Sequence, residues 1–423
     1  MNVIDDRERG SAGQGQGGGM KEAWQIKTLG DVCVTVQDGA HESPKLQFDS
    51  PGNGRFLYIT SKNIRNNYLD LENVTYVDEE FHNRIYPRCR PGVGDVLLTK
   101  DGANTGNVTL NTLDEPFSLL SSVCLIKTTP DFLLPSFLSY FIQSPDGLKS
   151  ITGQMTGAAI KRIILRDIKL AKIPIPPLPE QQRIVALLDE AFAGLATAKA
   201  NAEQNLHNAR AIFESHLQAV FSQRGVGWVD RQLASLCTEI TVGHVGSMKT
   251  EYKENGIPFL RSQNIRPFEV SMDNSMFIDE AFHRTLKKSK LRPGDLAIVR
   301  TGYPGTAAVI PPELPDSNCS DLVILRPGEE IDPHFLAAFF NSAFGKQLVL
   351  GKIVGAAQKH FNITAAKEVM LHVPPMSEQL AIVAKSDELR EGTQSLSHLY
   401  ERKLAALEEL KKSLLHQAFN GEL

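Results

Sequence analysis

A long internal repeat constrains the fold of this chain more than any other feature of its sequence. One copy runs from Trp24 to Phe221 and the second from Trp228 to Phe419, and each joins a globular segment to a long helical one. At ~100 to 200 residues per domain, the 423-residue length suits two globular domains and two long helices. A duplicated unit of this kind predicts a protein that recognises a target made of two parts.

Short sequences recur in the same order in both copies, which argues against a chance match. They are an Asn-Ile-Arg turn, an Asp-Glu-x-Phe-His segment, a Gly-Asp pair before an apolar run, a Gly-Ala-Ala loop and a Pro-Pro-x-x-Glu-Gln element. The matching positions are Asn63–Arg65 and Asn264–Arg266, Asp78–His82 and Asp279–His283, Gly94–Leu97 and Gly294–Ala297, Gly157–Ala159 and Gly355–Ala357, and Pro176–Gln181 and Pro374–Gln379.

Each globular segment mixes strand and helix signals, so the predicted fold class is α+β. Short β-branched or apolar runs between Gly, Pro and Asn predict strands, as at Asp31–Val36, Phe56–Ile59 and Asp95–Thr99. Apolar residues at helical spacing predict helices at Pro135–Ser144 and Pro333–Ser342. The predicted boundaries are a Gly/Gln-rich disordered tail over 1–20, with Met20 as an alternative start, globular domains over 21–177 and 225–375, and long helices over 178–224 and 376–423.

Apolar or small residues recur along each helical segment in steps of four and three, which is typical of a coiled-coil seam. We expect the two helices to pair with each other; the alternative is an amphipathic hairpin on an ordinary core. From Leu188 to Val220 the first helix would rise ~48 Å, more than the ~34 to 36 Å between sites one DNA turn apart. The predicted seam is Leu188, Phe192, Leu195, Lys199, Ala202, Leu206, Ala209, Phe213, Leu217 and Val220, then Leu389, Leu396, Leu399, Lys403, Ala406, Leu410, Leu414 and Gln417.

The composition, with 42% apolar and 22% charged residues, is that of an ordinary soluble protein. The sequence has no apolar run near the ~18 residues of a membrane helix, and its first residues lack the apolar core expected of a signal peptide. Its five scattered cysteines form no C-x-x-C pair, which predicts reduced thiols and a cytoplasmic protein. Because the net charge is −4 and charges balance within each copy, any grip on DNA would depend on local clusters of Lys and Arg.

Three loops in each copy carry residues that suit contact with a nucleic acid. The first combines Arg or Lys, which bond guanine edges, with Asn or Gln, which pair with adenine. The second follows a strand and holds two glycines that let the backbone approach a ligand, and the third joins small residues to a basic pair. The candidates are Lys62, Asn63, Arg65, Lys100, Asn104, Lys161 and Arg162 in the first copy, and Arg261, Gln263, Asn264, Arg266, Arg300, Tyr303, Lys359 and His360 in the second.

Each loop also has an ordinary structural interpretation. Asn63 and Asn264 could cap turns, the paired glycines could form tight hairpins, and the basic residues could be solvated surface groups. The residue types alone leave these alternatives open.

The sequence lacks the patterns of several enzymes. It contains no G-x-x-x-x-G-K-[ST] loop, and none of its Pro-Pro pairs belongs to the Asn/Asp-Pro-Pro-aromatic loop of an amino-methyltransferase. Glu251-Tyr252-Lys253 and Glu401-Arg402-Lys403 match only the E-x-K half of a nuclease site, and the histidines form no metal motif. These observations predict a chain with no catalytic residue, metal or cofactor of its own.

The combination of two variable domains, a Pro-Pro-x-x-Glu-Gln element and a long helix after each, and the closing segment Leu414–Leu423 resembles the specificity subunit of type I restriction-modification enzymes. The resemblance covers essentially everything after Met20. It implies target-recognition domains, at 21–177 and 225–375, that each read one half of a bipartite sequence in double-stranded DNA. Antiparallel spacer helices, at 178–224 and 376–423, would set the gap between the halves.

The resemblance also implies a division of labour among subunits. Two modification subunits would bind S-adenosylmethionine and methylate adenine N6, and restriction subunits would supply translocation and cleavage with ATP and magnesium. The candidate subunit contacts are Glu180, Gln181, Glu378, Gln379 and Phe419. The alternative function is a coiled-coil scaffold that reads no DNA sequence.

Overall fold

The computed structural model describes residues 24–153, 162–351 and 361–423. The chain divides into two compact units, the first formed by Met1–Asn201 with Leu404–Leu423 and the second by Ala202–Lys403. Each unit therefore holds one globular domain, the beginning of one long helix and the end of the other. The disordered tail predicted over 1–20 lies outside the described residues.

The first unit begins with a mixed set of short strands and helices. Its strands are β1 (Gln25–Thr28), β2 (Cys33–Asp38), β3 (Gln47–Phe48), β4 (Arg55–Ile59), β5 (Ile64–Arg65), β6 (Tyr68–Leu69), β7 (Thr75–Asp78), β8 (Val96–Thr99), β9 (Val108–Leu110), β10 (Ser118–Leu119), β11 (Val123–Thr128) and β12 (Lys172–Ile175). Its helices are α1 (Leu29–Val32), α2 (Glu79–Ile85), α3 (Pro135–Gln143), α4 (Pro145–Thr152), α5 (Leu165–Leu170) and the start of α6 (Leu178–Ser222).

The second unit repeats this plan. Its strands are β13 (Val229–Gln232), β14 (Cys237–Val242), β15 (Tyr252–Lys253), β16 (Ile257–Leu260), β17 (Ile265–Arg266), β18 (Glu269–Val270), β19 (Met276–Ile278), β20 (Lys290–Leu291), β21 (Leu296–Val299), β22 (Ala307–Val309), β23 (Ser317–Cys319), β24 (Leu322–Pro327) and β25 (Met370–Val373). Its helices are α7 (Leu233–Leu236), α8 (Glu280–Thr285), α9 (Pro333–Asn341), α10 (Ala343–Gly351), α11 (Ile363–Lys367) and the start of α12 (Met376–Asn420).

Each unit is organised around a four-stranded antiparallel sheet, in the order β2-β11-β8-β9 in the first and β14-β24-β21-β22 in the second. The central strands are apolar on both faces because each face is covered. Val96 and Leu98 pack against the helices, whereas Leu97 between them packs against the second sheet of the unit. The α+β fold class is confirmed.

The repeated Asp-Glu-x-Phe-His segment begins a helix in both units. The carboxylate of Asp78 accepts a hydrogen bond of 2.8 Å from the Phe81 amide, and that of Asp279 accepts one of 2.7 Å from the Phe282 amide. Aspartate at this position satisfies an amide that has no partner inside the helix. The repeat anchor is therefore an N-terminal cap, and its histidine turns inward.

Most strands and helices predicted from the sequence are present, with one difference near the N-terminus. The predicted strand at Asp31–Val36 begins later, at Cys33, because Leu29–Val32 forms a helical turn. The Thr28 hydroxyl donates to the Asp31 carboxylate at 2.6 Å, which stabilises that turn.

The two long helices run antiparallel within each unit. In the first unit Lys199 Nζ lies 2.8 Å from Glu408 Oε1, and in the second Arg210 Nη2 lies 2.8 Å from Glu401 Oε1. The predicted seam of α6 is confirmed where its members are buried, at Leu188, Ala202, Ala209 and Leu217. No described helix is long and apolar enough to cross a membrane.

The predicted seam of α12 is wrong at three leucines. Leu396, Leu399 and Leu410 are 41%, 48% and 48% exposed, whereas the small polar residues Ser386 and Thr393 are buried. The His216 ring lies 3.2 Å from the Ser386 hydroxyl, within hydrogen-bonding distance. Ser386 is not a member of the predicted seam, yet it contacts the other helix. Packing on the rest of the unit therefore selects a different face of this helix.

Each unit is closed by an aromatic residue from a helix end. Phe419 lies 5.0 Å from Phe137 between ring centroids, and Phe221 lies 5.3 Å from Phe335. Both are buried in the core of their unit. The predicted subunit contact at Phe419 is therefore wrong, because its ring is enclosed by its own unit.

Candidate nucleic-acid interface

The predicted loops meet at one end of the four-stranded sheet in the first unit. The loop between β8 and β9 touches the loop after β4, because Asn104 Nδ2 donates to the Ser61 carbonyl at 3.2 Å. The Ile163 amide donates to the Lys100 carbonyl at 2.7 Å, which brings the end of the third loop to the same place. Three sequence segments that are far apart in the chain thus form one surface.

The second unit brings its equivalent loops together through a different set of contacts. The Ser262 hydroxyl donates to Asp321 Oδ2 at 3.2 Å, and the Thr301 hydroxyl donates to Asp321 Oδ1 at 3.1 Å. The Phe361 amide donates to the Arg300 carbonyl at 3.3 Å. The loop cluster is therefore built twice, once in each unit.

A fourth loop, which the sequence analysis missed, joins each cluster. It precedes β11 in the first unit and β24 in the second, where Ser122 and Asp321 hold the first loop. The Ser122 hydroxyl accepts a hydrogen bond of 3.1 Å from the Ser61 amide. The sequence signal for this loop was the Ser121-Ser122 pair, which aligns with Ser320-Asp321 in the second copy.

The repeated asparagines Asn63 and Asn264 support their loops from inside. Both are buried, and their side-chain oxygens accept hydrogen bonds of 3.0 Å from the amides of Thr60 and Arg261. Their side-chain amides donate to backbone carbonyls seven residues later, again at 3.0 Å. The structure therefore favours the alternative that Asn63 and Asn264 cap turns over their candidacy as DNA contacts, since their polar atoms are already bonded within the loop.

Lys100 is also a buried supporting residue. Its ammonium lies 3.3 Å from the carboxylate of Asp38, which Arg88 Nη2 approaches at 2.7 Å. Burial alone would raise the pKa of Asp38, but hydrogen bonding to Arg88 and the charge of Lys100 outweigh it and lower that pKa. Lys100 is therefore neutralised inside the domain, which corrects its prediction as a DNA contact.

Arg300, the counterpart of Lys100, has a different environment. Val242 occupies the position in β14 that Asp38 occupies in β2, so the carboxylate is missing from the second unit. The buried Nε atom of Arg300 has no hydrogen-bond partner among the described residues. Among the residues that the structure describes, Arg300 therefore has no carboxylate partner like the one that Asp38 provides for Lys100.

The remaining candidates divide into paired and unpaired groups. Arg65 and Arg266 form ion pairs with Asp70 and Asp273, at 2.9 and 2.8 Å. A longer pair, 3.6 Å, joins Arg162 to Asp101. Lys62 and Tyr303 are exposed. Gln263 is also exposed, but its Nε2 donates to the Asn274 carbonyl at 3.3 Å, and Nη2 of the half-buried Arg261 donates to the same carbonyl at 3.2 Å. Lys161, Lys359 and His360 lie outside the described residues.

The predicted subunit contacts next to the helices prove to be internal. Gln181 and Gln379 are fully buried, and each accepts one backbone hydrogen bond and donates two. This corrects the predicted role of both glutamines. Glu180 pairs with Arg183 at 2.7 Å, and Glu378 accepts a hydrogen bond of 2.9 Å from the Trp228 indole.

No cluster of three or more metal-binding side chains occurs among the residues that the structure describes. The loop clusters instead offer amide, hydroxyl, guanidinium and ammonium donors at an exposed edge, which suits recognition of a polyanion with hydrogen-bonding edges.

Comparison with known proteins shows which proteins this chain is similar to. Residues 21–206 match the family model described as the type I restriction modification DNA specificity domain. The chain is 22% identical to the type I restriction enzyme EcoKI specificity subunit of Escherichia coli K12, over 96% of this chain and 90% of that protein. It is 20% identical to the MjaVIII specificity subunit of Methanocaldococcus jannaschii, over 95% and 93%.

Two solved structures share the fold. One, from work on complex assembly and conformational transition of the type I R-M system, has a TM-score of 0.78 at 19% identity, covering 96% of this chain and 100% of that chain. The other, the HsdS subunit from Thermoanaerobacter tengcongensis, has a TM-score of 0.61 at 20% identity, covering 96% and 98%.

Proposed function

We propose that this chain, which belongs to the family of type I restriction-modification specificity subunits, reads a bipartite sequence in double-stranded DNA and directs partner subunits to it. Specificity subunits are non-catalytic components of type I restriction-modification complexes. The observation that carries the proposal is the loop cluster, which recurs at the same sheet edge in both units. Each cluster would read one half of the target.

Within the clusters, the exposed polar groups and those with an unpartnered atom are the proposed DNA contacts. The Gln263 side-chain amide suits adenine, the Arg261 guanidinium suits guanine, and Lys62 and Arg300 suit phosphates. Arg65, Arg162 and Arg266 would reach DNA by exchanging a carboxylate partner for a phosphate. Lys161, Lys359 and His360 remain proposed contacts on sequence grounds.

The chemistry belongs to the partners in this proposal. Two modification subunits bind S-adenosylmethionine and methylate adenine, and restriction subunits use ATP and magnesium to translocate and cleave DNA. This chain needs no cofactor of its own, since its contribution is the choice of sequence. The complex would work in the cytoplasm, where its substrate DNA lies.

The exposed apolar face of the helices in the second unit is the proposed contact for a modification subunit. Ile212, Leu396 and Leu399 are 47%, 41% and 48% exposed and line one groove with Leu389. Contiguous exposed apolar side chains of this kind mark protein-binding surfaces. This face replaces the buried Gln379 and Phe419 as the candidate.

A double variant, Leu396→Glu with Leu399→Glu, tests this contact. We expect the variant to lose co-purification with the modification subunit while its melting temperature stays near that of the parent chain. Arg402→Glu, a charge change at an exposed position of the same helix, is the control and should leave co-purification intact. A double variant that still co-purifies would remove this face from the proposal.

Selection from a random DNA pool tests the proposed function itself. The chain is co-expressed with the modification subunit from its operon, and DNA retained by the complex is sequenced. We expect a split motif with a fixed gap. A well-formed complex that retains DNA without any sequence preference would support the scaffold alternative.

A further inference from the structure

Tyr303 in the second unit is an aromatic residue whose side chain is exposed to solvent. It lies at the tip of the hairpin between β21 and β22, and it is 85% exposed. A tyrosine contributes most when its ring is covered, and an exposed ring of this kind is a common anchor for a binding partner.

The hairpin holds this ring on a defined backbone. Gly302 and Gly305 flank the tip with φ angles of 87° and 90°, a region that favours glycine. The Gly305 amide donates to the Val299 carbonyl at 3.1 Å, and the Thr306 amide donates to the Tyr303 carbonyl at 3.2 Å. Pro304 removes a further backbone rotation. The ring therefore projects from an ordered turn.

The surroundings of the tip are those of the loop cluster. Thr301 and Ser262 both donate to Asp321, so the hairpin is tied to the loop that carries Gln263. Arg300, at the base of the hairpin, has a buried Nε without a partner among the described residues. An exposed aromatic ring, a guanidinium with an unpartnered Nε and the Gln263 side-chain amide, which donates to the Asn274 carbonyl at 3.3 Å, thus lie in one loop cluster of the unit.

The first unit lacks this combination. Its hairpin closes with the equivalent bond, from the Gly106 amide to the Thr99 carbonyl at 2.9 Å, but it is one residue longer, and Ala103 follows the first glycine where Tyr303 does in the second unit. Lys100, in place of Arg300, is neutralised by Asp38. The two units therefore present different chemistry on hairpins of different length between equivalent strands.

We propose that Tyr303 stacks against a base of the half-site read by the second unit, with Arg300 balancing an adjacent phosphate. This inference rests on the proposed function. A base has an apolar face that stacks on aromatic rings, and side chains that insert beside a base step also unstack it. Stacking would give the second half-site a contact that the first half-site does not receive.

The experiment uses the complex with the modification subunit and duplexes that carry 2-aminopurine at successive positions of the target. The half-site of the second unit is the one whose reading changes in Gln263→Ala. We expect the probe fluorescence to change on binding at one step of that half-site. Tyr303→Ala should abolish this change and weaken DNA binding about tenfold or more, whereas Tyr303→Phe should retain both.

Three results would overturn the inference. Tyr303→Ala could retain the fluorescence change and the affinity of the parent complex, which means that the ring does not stack. The variant could instead lose the modification subunit, which would make Tyr303 a protein contact. If the parent complex itself selects no DNA sequence, the proposed function is wrong. This failure is distinguishable from failure of the stacking inference because it is seen with the parent complex, without any substitution.

Discussion

Two buried glutamines, Gln181 and Gln379, tie each long helix to the domain that precedes it. The Gln379 side-chain oxygen accepts a hydrogen bond from the Asp332 amide at 2.8 Å, and its amide donates to the carbonyls of Glu330 and Pro374, both at 3.0 Å. Gln181 makes the equivalent three bonds. The Glu-Gln element is repeated because a helix and a loop both depend on this side chain.

Removing the Gln379 side chain should destabilise the second unit. Gln379→Ala removes the buried side chain that bonds one backbone amide and two carbonyls, and we expect a loss of about 1 to 3 kcal/mol in the free energy of unfolding. Chemical denaturation measures this loss, with Gln394→Ala, at an exposed position of the same helix, as the control. Equal stability of the two variants would contradict the role assigned to Gln379.

The repeated histidines His82 and His283 should make stability depend on pH. Both are buried, and burial lowers their pKa from the usual ~6.5. As the pH falls through about 6.5, the unfolded chain takes up protons that the folded chain does not accept until the lowered pKa is reached. The free energy of unfolding should therefore fall across that window.

A non-titrating substitution tests this pH dependence. We expect His82→Gln to lose less stability between pH 7.5 and pH 5.5 than the parent chain does. The variant lacks one side chain that takes up a proton in the unfolded chain but not in the folded chain. His207→Gln, at an exposed position, should retain the parent's dependence. Thermal melts at the two pH values provide the measurement, and identical shifts in all three chains would refute the assignment.

At the scale of single residues, the sequence indicated the right loops but not which of their side chains face outward. Asn63 and Lys100 have the chemistry of DNA contacts, yet Asn63 forms its hydrogen bonds within its own loop and Lys100 pairs with the buried Asp38. Residue type cannot separate an amide that holds a turn from one that reads a base, because both uses need the same donor and acceptor. Burial decides between them, and burial depends on contacts distant in sequence.

Among the elements, the long helices show that a periodic pattern predicts the location of a helix better than its buried face. The 4,3 spacing located both helices, at Leu178–Ser222 and Met376–Asn420, and the packed face of the first. It assigned the wrong face to the second because Leu396 and Leu399 are apolar but exposed. A surface apolar stripe and a core stripe have the same sequence signature, and the partner surfaces determine which is which.

Helix length gives a direct prediction for the DNA target. Adding seven residues to each helix extends the pair by about 10.5 Å, close to the length of three base pairs at ~3.4 Å each. We expect the gap between half-sites to grow by about three base pairs while both half-sequences stay the same. Sequencing of methylated adenines measures the gap. A changed half-sequence would contradict the proposal that the helices set the spacing.

For the whole molecule, duplication extends beyond the two globular domains. Each unit combines a domain with the start of one helix and the end of the other, and equivalent phenylalanines, Phe221 and Phe419, complete the two cores. The repeat alone suggests that each domain is followed by its own helix, and the exchange of helix ends agrees with the antiparallel pairing predicted for the two helices. Yet each loop cluster is confined to a single unit, which predicts that the half-sites are read independently.

Mapping methylated adenines in cells that express the modification subunit with either the parent chain or Arg261→Ala/Gln263→Ala tests this central claim most directly. Both substituted side chains lie in the first loop of the second unit, and Asn264 is left in place to hold that loop. We expect the parent to methylate a split sequence and the variant to relax one half only, by about 1 to 3 kcal/mol for each lost bidentate contact. Equal relaxation of both halves would contradict independent reading by the two units.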